Sequence, residues 1–552
     1  MFRRTHAALS LTISTLTLSF ALQSQPMAAQ NVNAFAAEST SAQPATAEPA
    51  VAVPAVVEAA QKPLAQGPPP VLPRPRSAIA SGVAPITAPF SVTFLSRNRV
   101  NAVDYYDARP FLSTYPYVDH FLRIAVAEKI GKFDWLAELG ETAEFDLPTT
   151  AISNIPAQGQ LFLGGTYYAA NGPNNTTPVA ASFRQGWLRY HGKGPDTSLR
   201  IGRFEFFDGQ ETAPGDPTLT WLQNNRIAQR LIGNFAFSNG QRSFDGIDGH
   251  YGKGTWDVTA MAGRVTQGVF NMNANPELNV DIQYLAYTRR QFKDHLLVRA
   301  FGLDYHDGRT GLTKTDNRAA AVRATDHKNI RIGTYGADAI ASIPVGKGTA
   351  DALFWGVLQN GQWGVQNQHS GAVAVEAGYR FNGVVSRPWI RGGFFRSTGD
   401  TNPTDDQHNT FFQVLPTPRI YARFPFYDLQ NNRDQFIQLM DSPSKRLELR
   451  ADLHFLQLTS PTDLLYNGGG AYDKKVFGYT GRTANNHTSL ASIADMSADF
   501  ALTPSLNING YFARSYGKTV LSSIYLGNKA SYGYLELIYK FNVRQKAAQA
   551  TR

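Results

Sequence analysis

Between Lys445 and Leu458 the chain alternates strictly. Leu447, Leu449, Ala451, Leu453 and Phe455 are apolar, while Arg446, Glu448, Arg450, Asp452 and His454 between them are charged or ionisable. A period of two is the signature of a β-strand. A run of about 9–11 residues with one bulky apolar face and one charged face has the length and polarity of a membrane-crossing stave. The same alternation recurs after Phe90, predicting strands over roughly 92–100, 119–128, 133–141, 181–191, 197–204, 243–252, 255–263, 280–291, 294–304, 330–342, 349–358, 370–381, 388–397, 432–441, 446–458, 489–500, 505–516 and 530–541. The even total, eighteen, is the parity of bacterial single-chain barrels.

The connections obey a second regularity. Those after even-numbered strands are short, and three of them repeat Gly-Lys-Gly, at 192–194, 252–254 and 346–348. Glycine supplies the positive φ of a tight hairpin and lysine solvates its tip. Most connections after odd-numbered strands are long. Short turns on one side and long loops on the other predict an all-β fold: a transmembrane antiparallel up-and-down β-barrel in the bacterial outer membrane, with its short turns periplasmic. Its first partner is then outer-membrane lipid.

Residues 1–36 read as a signal peptide, with Arg3 and Arg4 ahead of a Leu/Thr/Ser-rich run from Ala7 to Leu22 and an A-x-A exit at 34–36. Residues 37–89 are Ala/Pro-rich, a composition that buries no core and favours extended, flexible chain. Such a periplasmic segment is either a solvated tail or a tether to the cell wall or a periplasmic partner. The barrel is expected over 90–541, followed by a tail over 542–552.

Composition supports this reading. The chain has 24 Tyr, 34 Phe and 47 Gly, which suit aromatic girdles and tight turns, and no Cys, which removes thiolate chemistry. A mean hydropathy of −0.28 is too polar for a helical membrane protein. The formal charge of +9 suggests an acidic partner, but no block of like charges marks a nucleic-acid arm.

Two stretches are more specific. In LRIGRFEFFDGQE, Gly202, Arg203, Phe206 and Asp208 fit a strand ending in G-R/Q-x-x-F-x-D. In STGDTNPTDDQHNTFFQVLPT, Gly399, Asp400, Asn402, Pro403, Asp405, Thr410, Phe411, Leu415, Pro416 and Thr417 fit S-G-D-x-N-P-x-D-G…T-F…L-F-P-T. The pattern departs at Thr398, Asp406 and Val414. With these residues the chain resembles the alginate export family of outer-membrane barrels. The resemblance implies eighteen strands and a basic pore that passes a uronate polymer outwards by passive diffusion.

Assigning each strand's apolar phase to lipid leaves a mixed interior with a basic surplus. Its cations are Arg123, Arg189, Arg289, Arg299, Arg380, Arg391, Arg446 and Arg450, and its acids Glu138, Asp281, Glu376, Glu448 and Asp452. Arg203 joins the candidate pore residues if a bulge turns it inward; strict alternation puts it at the outer rim. Guanidinium groups suit carboxylates, and the competing reading is that the arginines pair with Glu and Asp and brace the wall. Asp400, Asn402, Asp405 and Asp406 have oxygen donors at Ca²⁺-like spacing. Asx turns use the same residues, and inward folding of this loop would narrow the pore. No other cofactor is implied.

Hydrolase signatures are absent, and Gly517-Lys518-Thr519 lacks the earlier glycine of a P-loop, with Phe512 in its place. The leading expectation is a channel for anionic polysaccharide or carboxylate-bearing solutes. A porin for small anions or sugars is the alternative, and an outer-membrane enzyme or adhesin using loop residues such as Asp406 and His408 is the reading from another class.

Overall fold

The computed structural model describes residues 90–152, 162–194, 196–417, 420–424 and 427–544. The predicted signal peptide and Ala/Pro-rich segment, and the tail from 545 on, lie outside the described residues.

Eighteen antiparallel staves close into a barrel: β1 (Phe90–Asp104), β2 (Thr114–Ile130), β3 (Phe133–Phe145), β4 (Val179–His191), β5 (Thr197–Phe204), β6 (Phe244–Lys253), β7 (Trp256–Thr266), β8 (Glu277–Gln291), β9 (Leu296–Asp307), β10 (Ile330–Val345), β11 (Gly348–Trp363), β12 (Gln366–Arg380), β13 (Trp389–Ser397), β14 (Asn432–Ser444), β15 (Leu447–Leu458), β16 (Ser489–Ala501), β17 (Leu506–Gly517) and β18 (Lys529–Arg544). Each pairs with its sequence neighbour. β1 pairs with β18 from Ser91 opposite Arg544 to Asp104 opposite Ser531, which closes the sheet. Closure is what lets a sheet sit in hydrocarbon, because an open edge would leave backbone groups without partners. β18 runs three residues past Phe541, so 542–544 belong to the wall rather than to a tail.

Alternation decides which face meets lipid. On β15, Leu449, Leu453 and Phe455 are exposed outward, while Asp452, His454, Leu456 and Leu458 are buried inward. Near the short-turn rim the outer face carries aromatic pairs: Phe94 on Phe541 at 4.6 Å, Phe133 with Tyr190 at 5.3 Å and Trp256 with Tyr287 at 6.2 Å between ring centroids. Such a belt anchors a barrel at the interface. No helix among the described residues is long and apolar enough to cross a membrane.

The interior is filled. The 205–243 connection folds inward and is buried along most of its length, as is much of 398–431. The two meet as Leu415 N–H donates to Leu231 O and Gly233 N–H to Leu415 O, both at 2.8 Å. In the β3–β4 connection, helix α1 (Phe162–Ala170) adds Tyr167, which packs edge-on to Tyr117 and Phe270.

Candidate functional site

The inward turn of 205–243 begins in the first of the two specific stretches. Gly202 has φ +128°, and a Cβ there would meet Gly186 O at 2.2 Å, so only glycine lets β5 lie this close to β4. Phe206 then packs edge-on to Tyr284 at 5.4 Å. Asp208 accepts from Leu231 N and Ile232 N at 3.1 and 2.8 Å, stapling the outgoing limb of the loop to its return limb. Burial pushes the Asp208 carboxyl up to about 7, against the pull of Arg299 and those amides.

Within the loop, helix α2 (Pro217–Leu222) is started by Asp216, whose side chain accepts from Thr218 N and Leu219 N, with Pro at the first helical position. A π-helical turn over Gln223–Ile227 follows and aims Arg226 at the wall. Arg226, Arg230 and Arg391 converge on Glu376 of β12, at 3.3, 3.5 and 2.9 Å. All four side chains are fully buried. Asp351 takes a further bond from Arg391, leaving this cluster with three cations and two carboxylates.

A second basic cluster surrounds a cavity of about 110 Å³ between the wall and the loops. Its charged lining is Arg97 and Arg99 of β1, Arg423, Arg450 of β15 and a single carboxylate, Glu536 of β18. Arg99 bonds Glu536 through Nε and Nη2 at 2.8 and 2.6 Å, and Arg97 donates to Ala236 O at 2.7 Å and Ser238 O at 3.2 Å. Arg423 donates to Tyr534 OH at 2.7 Å. Burial opposes its charge, but Tyr534 and Asp499 outweigh burial and hold its pKa above the usual arginine value.

The sequence-derived candidates separate into two groups. Arg123, Arg189, Arg299, Arg380, Arg391 and Arg450, with Glu138, Glu376, Glu448 and Asp452, lie in the inward phase of their staves. Most are engaged: Arg123 with Glu205 at 2.6 Å, Arg299 with Asp338 at 2.6 Å, Arg450 Nε with Asp452 at 2.6 Å and Arg380 with Thr218 Oγ1 at 2.9 Å.

The remaining four are corrections. Arg203 keeps strict alternation and lies on the outer face, bonded to Asp245 and to Phe183 O. Asp281 and Arg289 also point outward, because β8 is inverted relative to its apolar pattern. Val280, Ile282, Tyr284 and Ala286 face inward, where the folded loop offers an apolar surface, and Leu285 and Tyr287 face out. Asp281 there pairs with the half-exposed Arg264 at 2.8 Å. Arg446 is not on a strand at all; it is exposed in the two-residue turn between β14 and β15.

The Asp400–Asp406 loop uses its donors on itself. Asp400 Oδ1 accepts from Asn402 N, Asn402 Oδ1 from Thr404 N and Asp405 Oδ1 from Gln407 N, three successive Asx turns. Its Asp carboxylates do not form a metal-sized group; among the described residues the His/Asp/Glu group that does is Asp452, His454 and Asp495. The loop is fixed instead through Asp463, which accepts from Asp400 N at 2.9 Å and Thr410 Oγ1 at 2.6 Å and is raised by burial to about 6. His408 is buried and stacked on Trp363 at 4.2 Å, while Asp406 is exposed.

Sequence reasoning missed Arg97, Arg99, Arg200, Arg226, Arg230 and Arg423. Arg97 and Arg99, two apart in a strand, carried a usable signal, as did Arg200, which is inward precisely where its neighbour Arg203 is outward. The loop arginines carried none.

The two stretches that resembled a family therefore build one object, the paired inward loops. Residues 157–511 match the alginate export family. The chain belongs to this family. Its fold is shared with solved structures: Acinetobacter baumannii OccAB2 (TM-score 0.52, 11% identity, covering 82% of this chain and 98% of that one), A. baumannii OccAB3 (0.51, 11%, 82% and 99%) and Pseudomonas aeruginosa OccK9 (OpdG) (0.51, 10%, 82% and 98%). None of the curated proteins compared with the chain matches it. This alginate export family member is an outer-membrane channel of the bacterial envelope, not an enzyme.

Proposed function

We propose that the channel passes anionic, carboxylate-bearing solutes by passive diffusion, anionic polysaccharide among them. The observation that carries this reading is the cavity lined by Arg97, Arg99, Arg423 and Arg450 against the single acid Glu536. Guanidinium groups bind carboxylates through paired hydrogen bonds, and several weak sites in series let an anion move without trapping it. At about 110 Å³ the cavity is smaller than the roughly 300–1,000 Å³ of a pocket that holds a drug-sized molecule. A polymer therefore requires the inward loops to shift, whereas a small carboxylate requires less movement. That size favours, as second reading, a porin for small anions.

Planar-bilayer recording distinguishes them. Anion-selective conductance blocked by added polyuronate supports polymer passage, and anion selectivity without block supports the small-anion porin. Cation selectivity, or no change in reversal potential on Arg97→Ala with Arg99→Ala, overturns both.

A further inference from the structure

Away from the arginine-lined cavity's loop side, the inward faces of β14, β15 and β16 bring together polar groups that neither the wall nor the loops complete. Gln438 of β14 lies opposite Asp452 of β15, and Asp452 opposite Asp495 of β16. His454, two residues on, occupies the same inward phase. Like charges directly across a strand pair repel, so the facing Asp452 and Asp495 need something positive between them.

Arg450 satisfies only one side, bonding Asp452 Oδ2. Asp495 Oδ2 receives the neutral Tyr511 hydroxyl at 3.0 Å. Behind His454, Asp434 accepts from its Nδ1 at 2.8 Å and from Tyr427 OH at 2.6 Å. An ionised carboxylate only accepts, so Nδ1 donates to Asp434 and Nε2 is the ring nitrogen left to ligate. That Nε2 has no partner, nor do Asp452 Oδ1 and both polar atoms of Gln438. His454 and Gln438 are 0% exposed and Asp452 2%. Buried polar atoms without partners are rare in native proteins and call for an explanation.

We propose that Asp452, His454 and Asp495 hold a divalent transition-metal ion, with zinc the best match, inside the barrel wall. Their donor atoms lie within 4.8 Å of one another. Zinc–donor bonds of about 2.0–2.2 Å bring tetrahedral donors to roughly 3.4 Å, so the side chains draw in by about an ångström. One imidazole with two carboxylates suits zinc or its first-row neighbours; calcium takes oxygen donors alone. Asp434 plays the orienting part that carboxylates take behind metal-bound histidines, and the unpartnered Gln438 Oε1, opposite Asp452 in the sheet, is a candidate for a fourth donor. The site rests on side chains the anion pathway does not require, except that Arg450 borders both.

The test uses the full-length barrel in detergent, stripped with EDTA and titrated with Zn²⁺ alone, with bound metal counted by mass spectrometry. One equivalent is expected, displaced competitively by Co²⁺ with a tetrahedral visible spectrum. Asp495→Asn and His454→Gln, checked for folding by heat-modifiable gel migration, should each weaken binding at least tenfold, and Asp434→Asn by about 10–100-fold. Less than about a tenth of an equivalent in the wild-type protein overturns the proposal without any variant, and so does binding that survives both ligand substitutions in folded protein.

Discussion

Glu376→Gln should release the inner loop from the wall while leaving the barrel closed. In the wild-type protein the Glu376 carboxylate faces Arg226, Arg230 and Arg391 at 2.9–3.5 Å, with every side chain shut off from solvent. The amide keeps the shape but removes the charge, leaving Arg391 with Asp351, and Arg226 and Arg230 with only neutral partners in Ile420 O, Arg226 O and Tyr421 OH. Removing one partner of a buried ion pair costs about 3–5 kcal/mol, because the remaining charge is uncompensated. The two cations left without a carboxylate, Arg226 and Arg230, both sit on the loop, so the cost falls on docking residues 217–231 and not on the strand ladder. At 1.4 kcal/mol per tenfold, that raises the undocked population by about two to three and a half orders of magnitude. Hydrogen exchange of amides 217–231 and single-channel recording are the assays, with heat-modifiable migration as the check on folding. A folded variant with unchanged exchange in that segment and unchanged openings would refute the argument that this cluster holds the loop.

Three further outcomes follow from the geometry. Arg289→Ala and Arg446→Ala should leave reversal potential unchanged, since one side chain faces outward and the other sits in a turn, whereas Arg97→Ala should lower anion preference in the same recordings. Asp208 is raised from 3.8 to about 7, chiefly by burial, so the docked loop holds its proton more tightly than a released one; docking is strongest below about pH 4, weakens as pH rises to 7 and is flat above it, which exchange rates of 205–243 from pH 4 to 8 would follow once corrected for intrinsic chemistry. Leu453→Arg on the lipid face should destabilise the barrel by roughly 2–4 kcal/mol if the position lies at the bilayer midplane, measurable by urea unfolding in lipid vesicles, whereas calcium chelation should leave the wild-type curve in place because the Asp400 loop caps its own amides.

The wall was legible because its physics is local. Lipid on one side and a polar interior on the other impose a period of two, and all eighteen staves follow from it, together with the side on which the short turns lie. The same logic failed at β8, where Val280, Ile282 and Tyr284 are apolar for a different reason: they face a loop folded into the lumen. A period of two reports that the two faces differ and not which of them meets lipid. Arg226 and Arg230 were beyond reach because their positions depend on where a 39-residue connection goes after it leaves the wall. The two motif stretches were visible as resemblance, but their meaning is three-dimensional. Gly202 permits the close approach, Asp208 staples the returning limb, and Leu415 joins the second loop to it.

The seam between β1 and β18 has a consequence for biogenesis. Ser91 and Arg544 are neighbours in the sheet but 453 positions apart along the chain, so this pairing carries a large loop-closure entropy unless the intervening staves have already paired in sequence. Until the last stave arrives, β1 presents a full row of unpaired amides and carbonyls, an edge that templates pairing with any other strand. Insertion and closure are thus one event: a chain cut short before Lys529 would bring to the membrane not a smaller channel but a sheet with two sticky margins, suited to aggregation or to capture by the machinery that clears stalled barrels.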